Sequence, residues 1–373
     1  MQPISPENKE KIAAIAFSVL LFFVLLELYA RFLVPEYQQT PLCAYMADPT
    51  TGFRLEPNYS TRFKTLEFDT TVQINSNGLR DDKIGEKNGA RVLFLGDSFV
   101  FGHGVELDES VSKRLQQRLL EKTGKRFEVI NAGLSASGTI REVQWLKSYG
   151  LALKPDWVIV GFFAGNDFVD NQTESNGLNQ FTVKGRCLAS ASADGATTSI
   201  QSVVLKNIYS IRFLNDRIKS FQPVRSALSA VGLASAEKIP PSMELYQKPY
   251  RGRLSEGLDA TRDSFAELKS LSKENNFKVL IVIIPSRTEA DSKFFESVLE
   301  QHQLDPGDFN AAIPGEWVKG LAEENKFAVT DLQPIFQQSV SQGNGLYYSL
   351  DEHWNAKGHA LAAEWIAEDG KIS

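Results

Sequence analysis

The sequence predicts an α/β fold, a parallel sheet covered by helices on both faces, behind one apolar N-terminal helix. Three observations carry this expectation. Strand-length apolar runs such as Arg91–Leu95, Trp157–Phe163 and Lys278–Ile284 recur with no polar alternation, the pattern of strands buried on both faces. Amphipathic helical segments separate them, as the crossovers of a parallel sheet require. The third is the run Ile12–Leu26, uncharged and apolar except for Ser18.

Composition sets the outer limits. The 373 residues are 42% hydrophobic and 23% charged, enough for one large α/β domain or two small ones. The formal net charge is -6, with no cluster of Lys and Arg. That argues against nucleic acid as a partner, because phosphate affinity comes from clustered cations. Two cysteines, Cys43 and Cys187, fall short of the four ligands of a structural zinc site. Two unpaired buried thiols is the plain reading; an exported domain can instead bridge them.

Taking the elements in order, the apolar character of the N-terminal run continues past Glu27 and Arg31 to Val34. At about 1.5 Å per residue, residues 12–34 span roughly 34 Å, against a hydrocarbon core of about 30 Å. Glu27 and Arg31 stand four apart and can pair on one helix face. Lys9 and Lys11 precede the run, and after Arg31 no Lys or Arg appears until Arg54, which favours the N-terminus inside and the rest outside. No small-residue cleavage site follows in Leu28-Tyr29-Ala30-Arg31, and Leu42 before Cys43 does not fit a lipoprotein. The expectation is an uncleaved, single-pass signal anchor with the catalytic part outside the cytoplasm, at a bacterial inner membrane or cell surface.

Residues 38–89 are polar and turn-rich, with a turn at Asn75-Ser76-Asn77-Gly78. The α/β alternation then begins with the strand Arg91–Leu95 and a helix over Asp108–Lys122, capped by Asp108 and closed at Gly124. A strand at Phe127–Asn131, a helix at Ile140–Tyr149 and a strand at Trp157–Phe163 follow. From residue 171 to 250 the alternation lapses: no strong strand is visible, and Leu205–Ile218 and Val224–Glu237 read as short helices in an inserted cap or mobile segment. A helix over Ser255–Glu274, strands at Lys278–Ile284 and Phe327–Thr330, and a closing helix at Ala356–Glu368 complete the chain. The division is thus 1–35 tail and anchor, 36–90 connector, and 91–373 catalytic domain with an insertion at 171–250.

Four blocks carry the chemistry. Gly96-Asp97-Ser98-Phe99 follows the first strand, and ligands of open parallel sheets bind beyond the carboxyl ends of the strands. A small Gly-Asp-Ser turn exposes the hydroxyl and leaves its N–H free for a developing oxyanion; a serine that merely caps the next helix is the alternative. The glycines at 96, 102 and 104 lack dinucleotide-binding spacing. Asn131-Ala132-Gly133-Leu134-Ser135-Ala136-Ser137-Gly138 follows the second strand and Gly165-Asn166-Asp167 the third, so both reach the same edge. Asp351-Glu352-His353-Trp354-Asn355 lies before the closing helix. A serine hydroxyl is a weak nucleophile and needs an imidazole base with an orienting acid; His353 and Asp351 fit. His359, in the first turn of the closing helix, reads as packing or capping, His103 as a loop histidine near Ser98, and His302 as exposed.

The order of these blocks resembles the SGNH (GDSL-type) hydrolase superfamily over about residues 91–368. The resemblance implies a flavodoxin-like three-layer α/β/α sandwich and esterase, lipase, thioesterase or carbohydrate acetylesterase activity. Ile74-Asn75-Ser76-Asn77-Gly78-Leu79-Arg80, behind an anchor, is similar to bacterial membrane-anchored members with cell-surface polysaccharide functions. Carried over, the family implies Ser98 as nucleophile and first oxyanion donor, Asn166 as side-chain donor, His353 as base and Asp351 as its partner. The second backbone donor, commonly glycine, falls on Ala136, with Gly133 as the other register; Ala136 serves if its φ is negative. Ala164 replaces the usual glycine of the third block. Asp351 stands two residues before His353 rather than three, a spacing that resembles the branch that O-acetylates polysaccharides.

The expected activity is therefore hydrolysis of an acyl or acetyl ester of a cell-envelope glycan or lipid, without metal or cofactor. An O-acyltransferase using the same triad and a catalytically silent envelope scaffold are the alternatives.

Overall fold

The computed structural model describes residues 6–33, 42–65, 67–178, 181–190, 210, 239, 241–248 and 254–372. They fall into two units. The first holds helix α1 (Pro6–Phe32). Its stretch Glu10–Phe32, 23 residues with a mean hydropathy of 2.5, is long and apolar enough to cross a membrane. Phe17, Leu20, Phe22 and Leu25 stand exposed along it, and Arg31 donates to Glu27 at 3.0 Å, as their spacing predicts. Val34, the expected end of the span, lies outside the described residues.

The second unit comprises residues 41–193 and 238–373. The stretch read from sequence as a connector folds into two antiparallel hairpins, β1 (Tyr45–Asp48) with β2 (Gly52–Leu55) and β3 (Ser60–Lys64) with β4 (Asp69–Gln73). Alternation is visible in β4, where Thr70 and Val72 are buried between exposed neighbours. The hairpins share a small core, including Phe53, Phe63, Phe68 and Val72, with Phe101 and Leu134.

Five parallel strands form the main sheet: β5 (Ala90–Gly96), β6 (Phe127–Gly133), β7 (Trp157–Phe163), β10 (Lys278–Ile284) and β11 (Ala328–Asp331). A further hairpin, β8 (Phe181–Lys184) with β9 (Cys187–Ser190), lies between β7 and β10 in sequence. The spatial order β6-β5-β7-β10-β11 is the flavodoxin-like order, whose direction reverses between β5 and β7. Side chains alternate across the sheet, with Leu93 and Leu95 of β5 facing one core and Val92 and Phe94 the other.

The helices are α2 (Ser98–Phe101), α3 (Val111–Thr123), α4 (Thr139–Ser148), α5 (Asp167–Ser175), α6 (Leu254–Asn275), α7 (Arg287–Ala290), α8 (Ser292–Gln301), α9 (Ile313–Asn325), α10 (Gln333–Ser341) and α11 (Ala356–Glu368). The face bearing Leu93 packs against α4, α5, α6 and α9. The opposite face packs against α2, α3, α10 and α11. The result is a three-layer sandwich with apolar strands at its centre.

Several sequence expectations change. Ser110 rather than Asp108 caps α3, accepting from the Lys113 N–H, because Asp108 sits in a separate 3-10 turn closed by Glu106 and Glu109. The expected insertion is not strandless, since β8 and β9 lie within it. Its two expected helices, Leu205–Ile218 and Val224–Glu237, lie outside the described residues apart from Ser210. Cys43 and Cys187 are disulfide-bonded, which corrects the reading of two unpaired thiols. The β8–β9 hairpin lies against the β1–β2 hairpin, where Tyr45 N donates to Arg186 O at 3.0 Å, and this brings the two sulfurs together.

Candidate active site

Ser98 is placed by a row of glycines that has no counterpart in the sequence reading. Gly96 ends β5 and stands in register with Gly133 of β6 and Gly161 of β7. A Cβ on Gly96 would meet Val100 Cγ2 at 2.3 Å, and one on Gly133 would meet the Phe101 backbone N at 2.1 Å. The three bare positions form a floor on which α2 lies directly against the strand ends. Asp97 caps that helix, its Oδ1 accepting from the Phe99 N–H at 2.9 Å. Gly102 closes it in the left-handed conformation, leaving Ser98 half-buried at the strand edge.

Ser98, His353 and Asp351, 255 residues apart at the extremes, stand in one hydrogen-bonded line. Ser98 Oγ lies 2.7 Å from His353 Nε2, and His353 Nδ1 lies 2.6 Å from Asp351 Oδ1. Glu352 between them has φ +66°, a turn that lets two side chains only two positions apart meet. Left-handed backbone is costly for a residue with a Cβ, and the surroundings hold it in place. Tyr348 N donates to His353 O at 2.8 Å. The Glu67 carboxylate accepts from the N–H groups of Ser349, Leu350 and Asp351 at 2.6–3.1 Å. Sequence reasoning missed Glu67, which lies in the segment taken for a connector.

His103 is also more than a loop histidine. Its Nε2 lies 3.2 Å from the other Asp351 oxygen, and its ring stacks on His353 at 4.0 Å with a 16° interplanar angle. His103, Asp351 and His353 are the one His and acid grouping with metal-ligand spacing among the described residues. An ion shared by two imidazoles must lie near the plane of each ring, and two nearly parallel stacked rings offer no such point. The arrangement suits hydrogen bonding to a carboxylate instead.

The expected oxyanion donors occupy the same sheet edge. The N–H groups of Ser98 and Ala136 meet no acceptor among the described residues. Gly133, the other register, is occupied, its N–H donating to Asn131 Oδ1 at 3.0 Å. Ala136 fails the condition set for it: its φ is +64°, not negative. The turn after β6 is left-handed there, which is the physical reason glycine suits this position. Asn166 leads into α5 without capping it, and its side-chain oxygen is buried with no hydrogen-bond partner.

Carboxylates collect beneath these groups. Asp97, Glu142 and Asp167 are buried, and burial raises the Asp97 carboxyl to about 6. Glu142 and Asp167 are pushed well above the ordinary range, first by burial and then by neighbouring carboxylates. Asp351 differs. Burial opposes its ionisation, but hydrogen bonds from His103 and His353 hold its carboxyl far below the usual range. His359 is buried, its pKa lowered by burial to about 3. Its Nδ1 accepts from the Val111 N–H at 3.2 Å, so it serves the start of α3 rather than Ser98.

Residues 244–371 match a family described as "SGNH hydrolase-like domain, acetyltransferase AlgX". Over that segment the chain is similar to the SGNH hydrolase-like domain family. Asp351 and His353 lie within the matched segment, while Ser98, Ala136 and Asn166 precede it. Among solved structures, the acetyl xylan esterase AlAXEase is similar at 13% identity and a TM-score of 0.41, covering 76% of this chain and 100% of that one. A variant of Axe2, an acetyl xylan esterase from Geobacillus stearothermophilus, shares 14% identity at a TM-score of 0.40, covering 77% and 96%. A two-domain esterase active on acetylated mannans shares 13% identity at a TM-score of 0.40, covering 76% of this chain and 50% of that one. No curated protein matches.

Proposed function

We propose that the chain is a serine esterase acting on an acyl or acetyl ester of a cell-envelope glycan or lipid through Ser98, His353 and Asp351. The observation that supports this best is the hydrogen-bonded line from Ser98 Oγ through His353 to Asp351. As Ser98 Oγ attacks the ester carbonyl, His353 Nε2 takes its proton. The oxyanion rests on the N–H groups of Ser98 and Ala136 and on the Asn166 amide. His353 returns the proton to the departing alcohol oxygen, leaving the acyl group on Ser98 Oγ. Water, losing a proton to His353, then attacks the acyl carbonyl, and the proton passes back to Ser98 Oγ as the acid leaves. No step calls for a metal or cofactor.

The acetyltransferase description of the family matched over residues 244–371 favours a second reading, an O-acyltransferase. The acyl-enzyme is the same, and a glycan hydroxyl replaces water. A silent envelope scaffold would have no use for the Ser98–His353–Asp351 line. Acetyl release from an aryl acetate, measured with and without a glycan acceptor, separates these outcomes. Free acetate in both arms supports the esterase, and acetyl appearing on the glycan supports transfer. No Ser98-dependent turnover in either arm would leave the scaffold.

We place the catalytic unit outside the cytoplasm, held by α1 as a single-pass anchor. Lys9 and Lys11 before the apolar run support that orientation. So does the Cys43–Cys187 bond, since disulfides persist in oxidising compartments.

A further inference from the structure

We propose that His103 is a positioning residue of this site, a second imidazole that fixes Asp351 and sets how tightly His353 holds its proton. The inference rests on the reading of Ser98, His353 and Asp351 as an acyl-transfer triad. A carboxylate bonded to one imidazole can still rotate about its own axis. Asp351 is bonded through both oxygens, to His353 at 2.6 Å and to His103 at 3.2 Å, which fixes the plane of the carboxylate. The second bond also draws on the negative charge that favours a proton on His353.

His103 is itself held from several sides. Its backbone N–H donates to Ser98 O at 3.0 Å, tying it to the nucleophile's own residue. Phe63 and Phe68 meet its ring edge-on at 4.9 and 5.4 Å. Arg80 donates to Gly102 O at 2.5 Å and Val105 O at 2.6 Å on either side of it. Donation to a carboxylate requires the proton on Nε2. Burial, then the charge of His353, lowers the His103 pKa, so the ring stays neutral beside the working base.

The charged and titratable groups around this pair oppose one another. Arg80 and His359 bear on His103 from the connector side and from α11. Asp97 and Glu352 bear on His353, and Glu67 accepts the Asp351 N–H. Among them, His103 is the side chain that hydrogen-bonds the free oxygen of Asp351. Without that bond, Asp351 attracts the His353 proton more strongly, and the base stays protonated to higher pH.

The test uses the full chain in detergent micelles with two variants. His103→Phe keeps a stacked ring and loses the donor, whereas His103→Gln restores a donor. In His103→Phe the acid limb of kcat/KM for an aryl acetate should move up by about one pH unit, and His103→Gln should return it towards wild type. In parallel, proton NMR follows the downfield N–H resonance of the His353–Asp351 bond, which needs no turnover. That resonance should shift further downfield in His103→Phe and return in His103→Gln. An unchanged limb and resonance in His103→Phe, or an equal loss of rate in both variants with no shift, would overturn the proposal. Absence of Ser98-dependent turnover in the wild type would instead defeat the esterase reading, and the NMR arm would still judge His103.

Discussion

Ala136 holds a left-handed backbone at φ +64°, a conformation that costs a residue with a Cβ about 1–2 kcal/mol. Ala136→Gly should therefore raise thermal stability slightly and leave ester turnover within about twofold, since glycine supplies the same N–H. A large loss of kcat would show that the methyl group matters to the acyl pocket. Ser98→Ala and His353→Ala should each cut turnover by roughly 10⁴ or more with little change in Tm. His359→Ala should do the reverse: it loses a buried hydrogen bond at the start of α3, about 1 kcal/mol, while the pH–rate profile stays in place. Comparing Tm and kcat across these variants assigns each histidine its role. At this scale the residues of the Ser98–His353–Asp351 hydrogen-bonded line were legible in sequence, because a Gly-Asp-Ser turn and an Asp-x-His pair are local patterns. His103 was legible only as a neighbour of Ser98, because its bond to Asp351 spans 248 positions.

Among the elements, the β3–β4 hairpin and the segment after it do most to shape the site. Glu67, between the two strands, holds three consecutive N–H groups of the Asp351 loop. Glu67→Gln keeps one acceptor oxygen but loses the charge, so kcat/KM should fall about tenfold, or ~1.4 kcal/mol of transition-state stabilisation. Circular dichroism should stay unchanged, because Glu67 lies at a loop rather than in the sheet core. Arg80, buried and donating to four backbone carbonyls, is a harsher case. Arg80→Met leaves those carbonyls unpaired and should destabilise the fold by about 3 kcal/mol or more, measured as a shift of the urea midpoint. Three of the main strands, β5, β7 and β10, could be read directly because each is a nearly continuous apolar run, and β6 and β11 from their places in the alternation with helices. The four short hairpin strands could not, since alternation over only four or five residues resembles a turn-rich connector until a partner strand is known. The same holds for β8 and β9, four residues each, which pair with one another, with β8 lying against β1 and β2.

Across the whole molecule, burial of acids sets the response to pH. Folding raises the carboxyls of Asp97 to about 6, Asp170 to about 7 and Glu289 to about 8, each chiefly by burial. The folded state then binds more protons than the unfolded state, so stability from these groups falls as pH rises through that range. Buried His359, with its pKa lowered to about 3, acts in the opposite direction but only below the ordinary histidine value. Tm should accordingly decline between pH 6.5 and 8, and Glu289→Gln should flatten the decline. Scanning calorimetry at the two pH values checks both statements. An equal effect of Glu289→Gln at both would sink the explanation. The full chain should stay with membranes through an alkaline wash, and external protease on spheroplasts should digest the second unit; protection would reverse the proposed topology. The Cys43–Cys187 bond adds a constraint in time. It joins positions 144 apart, enclosing Ser98 and Asn166 but leaving His353 outside. Closing a loop of that length removes chain entropy from the unfolded state worth about 5 kcal/mol on the entropic account. A copy kept in a reducing compartment should thus be a weaker, protease-sensitive precursor, and reductant added during refolding should delay the appearance of activity. Oxidation would then act as a maturation step, closing the loop that holds Ser98 and Asn166 while His353 lies beyond it.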